Sequence, residues 1–206
     1  MKLATFLAKD KTLPQVGVIA PAADALVNLA EAFASCGKAP GMVSSMQEII
    51  EGGQARVGEI RNVLEAYSGP MIALETVKLL APLPQPIQIR DCLCFEEHLV
   101  GSGRAIMQRM GLNEMPPRSQ RMHDAFKQRP IYYKANRFAV VGTDTDIRWP
   151  AYSQAMDYEF EIGCIIGKTG RDVERSEARA HIFGFTIFND FSARDTQGIE
   201  MESGLG

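Results

Sequence analysis

Glu159 and Glu161 stand two residues apart in the stretch from Asp157 to Gly167, which after Asp157 is otherwise aromatic, β-branched or small. Such a composition predicts a β-strand, in which neighbouring side chains alternate between faces. Both carboxylates then share one face, and Tyr158, Phe160, Ile162, Cys164 and Ile166 share the other. Two like charges roughly 7 Å apart along a strand repel, and an interior position would make that repulsion expensive. Either a divalent cation neutralises the pair, or the acidic face is half-exposed and solvated. A third carboxylate, Asp190, follows the apolar run from Phe183 to Phe188. Carboxylates offer only hard oxygen ligands, so a site built from Glu159, Glu161 and Asp190 would suit Mg, with Mn or Ca as alternatives. Acidic residues are common, and their separation in sequence does not choose between the two readings.

The rest of the chain must supply the elements that position these groups. Its 206 residues, 46% hydrophobic and 23% charged, can bury a sizeable core as one domain or as a small domain beside a larger one. A formal charge of -3 and a pI near 5.7 provide no general attraction to nucleic acid or to an anionic membrane. No apolar run approaches the roughly 20 residues of a membrane helix, and residues 1–11 lack the layout of a secretory signal, so a cytoplasmic location is expected. Cys36, Cys92, Cys94 and Cys164 fit neither paired zinc spacing nor a disulfide framework; reduced, buried thiols are expected.

Short apolar runs between turn signals over residues 1–30 predict a hairpin of edge-like strands. Ser45 with Glu48 forms a capping-box pattern, and Val57, Ile60, Val63 and Leu64 recur at helical spacing up to Gly69-Pro70. Residues 1–80 thus read as a small N-terminal module of mixed α and β structure. The alternate prolines Pro82, Pro84 and Pro86 remove backbone donors and hold the chain extended, which makes 81–86 a linker. The second domain, 87–206, opens with a strand (87–95) and a helix (96–110) that carry Asp91 and His98. In a helix's first turn the positive end of the dipole favours a neutral imidazole able to act as a base; a structural role is the competing reading for a lone histidine. Residues 111–129, polar and interrupted by Pro116-Pro117, are expected as a long loop of the lid kind. A strand at 130–134 containing Tyr132 and Lys134, an apolar run at 138–142, a helix at 174–182 and a strand at 183–188 complete an α+β architecture that is mainly β with α.

Tyr158-Glu159-Phe160-Glu161-Ile162 and the run from Phe185 to Asp195 resemble the two signature blocks of the fumarylacetoacetate hydrolase family. The turn Gly167-Lys168-Thr169-Gly170-Arg171 and the lead-in His181-Ile182-Phe183-Gly184 add to the match, and the resemblance covers residues 87–200. It implies a mixed β-sandwich roll, here preceded by the small N-terminal module. It further implies a metal-dependent hydrolase that cleaves a carbon–carbon bond in a 1,3-dicarbonyl or 2-oxo acid, fumarylacetoacetate- or acylpyruvate-like. Under the resemblance Glu159, Glu161 and Asp190 match metal ligands, and Asp91, seven residues before His98, matches a further ligand. His98 matches the general base. Arg194 and Gln197 match catalytic and substrate-binding positions, and near a pocket-lining strand the resemblance implies a catalytic Lys134 and a substrate-binding Tyr132. Asn189, Ser192 and Asp195 read as local turn and cap chemistry.

The implied roles are chemically coherent. The paired oxygens of such substrates chelate a hard cation, which polarises a carbonyl as a Lewis acid. A neutral His98 can take a proton from the attacking water. Arg194, permanently charged and forked, suits a substrate carboxylate or the carboxylate shell of the metal. A decarboxylase, hydratase or isomerase of 2-oxo acids would use the same constellation. The partners expected are a small-molecule 2-oxo acid or diketone and a second copy in a homodimer, with neither nucleic acid nor membrane. Family members continue past the second block with elements that complete the sheet and the pocket, whereas this sequence stops at Gly206 in a loop-like run. The C-terminal part of the fold is therefore expected to be missing, and a truncated, non-catalytic member is the alternative to an enzyme.

Overall fold

The computed structural model describes residues 1–22 and 24–203. The chain forms two compact units: Met1–Pro84 with Val140–Gly206, and Gln85–Ala139. In the first unit, strands β1 (Lys2–Ala8), β2 (Gln15–Ile19), β3 (Ala25–Asn28), β4 (Ile72–Ala73) and β5 (Val77–Leu79) form an antiparallel sheet in the order β4-β3-β2-β1-β5. The first two strands were expected at an edge, yet both lie inside the sheet, because β5 returns to pair with the free side of β1. Helices α1 (Leu29–Ser35), α2 (Met46–Glu51) and α3 (Gly53–Ala66) complete the module. Asn28 caps α1 by accepting the Ala30 and Glu31 N–H groups, and Ser45 caps α2 by accepting the Glu48 N–H at 3.2 Å. Leu29, Phe33, Ile49 and Ile60 are fully buried and pack with Val16 and Val18 into the core. The chain leaves β5 extended: Leu80 donates its N–H to the Thr5 carbonyl, and the Thr5 hydroxyl donates to the Pro82 carbonyl at 2.7 Å.

In the second unit, β6 (Arg90–Leu93) leads to α4 (Glu96–Met110), α5 (Pro117–Gln128) and β7 (Ile131–Lys134), which pairs antiparallel with β6. The expected strand at 87–95 shortens to β6, while α4 keeps its expected bounds. It ends at Gly111, whose φ of 64° lets the Gly111 and Leu112 N–H groups turn back onto the Gln108 and Met107 carbonyls. The long loop expected at 111–129 is instead largely α5. Pro117 lies in its first turn, where no backbone donor is needed, and the polarity that suggested a loop belongs to a solvated helix. Residues 138–142 form no strand.

The remainder of the first unit is a two-stranded ribbon of β8 (Met156–Ile166) and β9 (Ile182–Ala193), followed directly by α6 (Arg194–Ser203). Ile165 and Phe183 pack against the N-terminal core. The helix expected at 174–182 is only a 3-10 turn, Ala178–His181, since its charged residues carry no apolar stripe to bury. The strand expected at 183–188 extends to Ala193, so Asn189 and Ser192 sit within the ladder, their backbone paired with β8. Alternation along the ribbon is as expected, but its burial is reversed. Glu159, Glu161 and Asp190 are half-buried, whereas Tyr158, Phe160, Ile162, Ile166, Phe185 and Ile187 are exposed, Ile162 by 75%. Cys164 shares that exposed face, and Cys92 and Cys94 are exposed too, which corrects the expectation of buried thiols; all four cysteines are free. Among the described residues nothing covers those strand faces, and no helix is long and apolar enough to cross a membrane.

Candidate metal centre

Strand pairing assembles the acidic cluster. Glu159 and Glu161 project from one face of β8, and the register places Asp190 of β9 directly opposite Glu159. Each offers an oxygen within 4.8 Å of the others. Like charges opposite one another on an antiparallel pair are destabilising. Two oxygens on one ion, at bond lengths of roughly 2.0 to 2.6 Å, can stand at most about 4 to 5 Å apart, so this all-oxygen set fits a single hard cation.

A cation that the chain itself brings to this face is Arg194. Its backbone N–H donates to the Ala155 carbonyl at 2.8 Å, which sets the start of α6 beside the start of β8. Nη1 donates to Glu159 Oε1 at 2.6 Å and to Gln197 Oε1 at 3.2 Å, while Nε and Nη2 reach Asp157 Oδ2 at 3.1 and 3.0 Å. Partial burial works against the guanidinium charge, but the bonds to Glu159 and Asp157 outweigh it and raise its pKa. Asp157 is held below the usual carboxylate range, first by the Tyr158 N–H and then by Arg194. Arg194 thus pairs with two carboxylates of β8, Asp157 and Glu159.

Asp195 performs the turn chemistry expected of it, and more. Its carboxylate accepts the Gln154 N–H at 2.8 Å, the Ser153 hydroxyl at 2.7 Å and the Thr196 N–H at 2.9 Å. Those bonds, the Gln154 N–H foremost, hold its pKa low. Ser153 is fully buried, and its carbonyl accepts from the Trp149 indole at 2.6 Å. The segment before β8 is thereby tied to the first turn of α6, which places Asp157 and Arg194 face to face.

Asp91, His98, Tyr132 and Lys134 belong to the second unit. Asp91 is half-buried on β6 and accepts the hydroxyl of Tyr133, its register partner on β7, at 3.1 Å. Tyr132 and Lys134 project from β7, and the Arg90 guanidinium lies 4.8 Å from the Tyr132 ring centroid. His98 is exposed in the first turn of α4, where Phe95 gives no side-chain cap. Glu96, in that same turn, accepts from Lys127 at 3.3 Å and His123 at 3.2 Å of α5, and Lys127 chiefly holds its carboxyl below the usual range. Sequence reasoning missed both Asp157 and Glu96. Alternation could have found Asp157, which is two residues before Glu159 and so on its face; nothing in the sequence ties Glu96 to α5.

The family model described as fumarylacetoacetate (FAA) hydrolase C-terminal matches residues 89–205. Oxaloacetate tautomerase FAHD2A, mitochondrial, of Bos taurus is 28% identical over 197 residues, covering 96% of this chain and 54% of that protein. Oxaloacetate tautomerase YisK of Bacillus subtilis (strain 168) is 27% identical over 163 residues, covering 74% and 48%. The crystal structure of maleylpyruvate hydrolase from Sphingobium sp. SYK-6 in complex with manganese (II) ion and pyruvate superposes with a TM-score of 0.62 at 22% identity, over 94% of this chain and 60% of that one. At that identity the likeness is one of fold, and the α+β fold expected from the sequence is the one observed. The chain spans about half the length of the curated relatives it matches.

Proposed function

Because the chain belongs to the fumarylacetoacetate hydrolase family, we propose that it is a metal-dependent enzyme that hydrolyses a carbon–carbon bond in a 2-oxo acid or 1,3-dicarbonyl substrate. The observation that carries this reading is the set of carboxylate oxygens from Glu159, Glu161 and Asp190 within 4.8 Å of one another. These three residues would hold the divalent cation, Mg with Mn or Ca as alternatives, and Asp91 would add a fourth, weaker ligand. When bound, such a cation supplies Lewis-acid polarisation of substrate oxygens. Arg194 orients Glu159 and, with Gln197, presents donors to a substrate carboxylate. His98 takes the proton of the attacking water at its imidazole nitrogen. Tyr132 and Lys134 offer a hydroxyl and an ammonium to the remaining substrate oxygens. A cytoplasmic location and a homodimer belong to the same proposal; sedimentation of the protein at micromolar concentration checks the second.

A second reading, tautomerisation of a 2-oxo acid, is favoured by the two sequence relatives, both tautomerases. His98 would then move a proton between carbon and oxygen, and no water oxygen would enter the product. A panel of 2-oxo acids and 1,3-diketones, with and without Mg and in ¹⁸O-water, separates the two. Calorimetric titration of Mg or Mn tests the roles. Glu161→Ala should abolish most of the cation affinity and Asp91→Ala only part of it. His98→Ala should keep the affinity while turnover falls by about 10² to 10⁴-fold. Loss of metal from the His98 variant, with retention by the Glu161 variant, would overturn the assignment.

A further inference from the structure

Glu159 has two carboxylate oxygens, and one is already engaged: Oε1 accepts from Arg194 Nη1 at 2.6 Å. The same Nη1 donates to Gln197 Oε1 at 3.2 Å, and the other end of the guanidinium is held by Asp157. Its Oδ2 accepts from Nε at 3.1 Å and Nη2 at 3.0 Å, while its Oδ1 accepts the Tyr158 N–H at 2.8 Å. Both Asp157 oxygens are therefore occupied, one by backbone and one by Arg194, and the side chain is anchored at each end. A guanidinium is planar and rigid, so pinning Nε and Nη2 sets the direction of Nη1. Released from Asp157, the same fork could turn a two-donor edge to Glu159 and bind both of its oxygens, the geometry that Arg–carboxylate pairs favour.

We propose that Asp157 is a positioning residue that confines Arg194 to one oxygen of Glu159 and so leaves the other oxygen to a divalent cation. This rests on the reading of Glu159 as a cation ligand. Asp157 touches neither cation nor substrate in this role; it acts through Arg194. Two residues of β8 on one face thus divide the guanidinium between them, and the division decides how many donor atoms the acidic cluster can present.

The test is calorimetric titration of Mn²⁺ alone into the wild-type protein, Asp157→Asn, Asp157→Glu and Arg194→Gln, and into the two double variants. Asp157 is 54% exposed, so its substitution leaves no buried void, and circular dichroism checks the fold of each variant. Asp157→Asn and Asp157→Glu should each weaken Mn²⁺ binding about tenfold, within the roughly 10- to 100-fold range typical of groups that orient metal ligands. In the Arg194→Gln background both effects should vanish to within about twofold, the signature of residues that act as a coupled pair. The glutamate variant keeps the charge and moves it by one methylene. Wild-type affinity there, or an unchanged loss when Arg194 is absent, would show that Asp157 acts only through its charge and would overturn the proposal. Absence of saturable Mn²⁺ binding to the wild-type protein would be a different failure, removing the cation reading of Glu159 itself.

Discussion

The five-stranded sheet and the β8–β9 ribbon obey the same alternation and put it to opposite uses. In the sheet module, apolar positions are covered: Phe6, Leu26, Phe33, Ile49 and Ile60 are fully buried, and Val16 and Val18 of the sheet pack with the helical Phe33, Ile49 and Ile60. Each large side chain so buried contributes about 1.5 to 3 kcal/mol. In the ribbon, the carboxylate side is the half-buried one, and Phe160 and Ile162 remain about three-quarters exposed. Its geometry is held by register along the ladder from Met156↔Ala193 to Ile166↔Ile182, and at its open end by the polar ties of Arg194 and Asp195. A strand pattern thus says which side chains share a face, not which face is covered.

The largest expected effect tests that contrast directly. Phe33→Ala removes a fully buried ring from the core and should cost about 3 to 5 kcal/mol of stability. Phe160→Ala, the same chemical change on the exposed face, should stay within about 0.5 kcal/mol. Denaturant melts of the two variants measure the difference. Equal losses would mean that the ribbon's apolar face is as well packed as the core, and the contrast would collapse.

What was legible in the sequence follows from how local each signal is. Helix α3 and the cap at Ser45 depend on residues within one or two turns, and they appear where helical spacing and the capping pattern placed them. The pairing of Glu159 with Asp190 was readable only as two signature blocks, yet the register brings those blocks together. Signals failed where the deciding contact is remote. The inner position of β1 depends on β5, more than seventy residues later, and the polarity of α5 resembled that of a loop because a solvated helix is polar too. The burial expected of Cys164 failed because alternation identifies its face but not whether that face is covered. Asp157 was legible by alternation, whereas its hold on Arg194 needed the start of α6 to be folded against β8.

A smaller effect is expected at a polar group inside the packed module. Asn28 is almost fully buried, and its Oδ1 accepts the Ala30 and Glu31 N–H groups at 3.0 and 3.4 Å. Asn28→Ala leaves those donors at the start of α1 without their cap, at a cost of about 1 to 2 kcal/mol by denaturant melt. The corresponding polar tie on the ribbon side is Asp195, and there the test is pH. Its folded pKa is depressed, so its contribution is present above the ordinary carboxylate range and is lost as pH falls through the lowered folded value. Asp195→Asn should therefore be less stable than wild type at neutral pH, and the gap should close in acid. A gap that is constant with pH would show that the carboxylate charge contributes nothing to the tie.

The smallest effect on stability is expected at Ile162, opposite Ile187 in the register and 75% exposed. Ile162→Lys adds a charge to the centre of the bare face, the kind of residue with which exposed strands resist unwanted pairing. No packing is lost, because the wild-type side chain is mostly in solvent, so the melt should move by no more than about 0.5 kcal/mol. The surface chemistry should change all the same. An exposed apolar patch of this kind binds hydrophobic probes, and a lysine at its middle divides it between Phe160 and Cys164 on β8 and Phe185 and Ile187 on β9. Fluorescence of the dye ANS should fall in the variant, and concentration-dependent association measured by light scattering should fall with it. A melt shifted by 2 kcal/mol or more, with dye binding unchanged, would show that Ile162 is already covered and that the two regions are built alike.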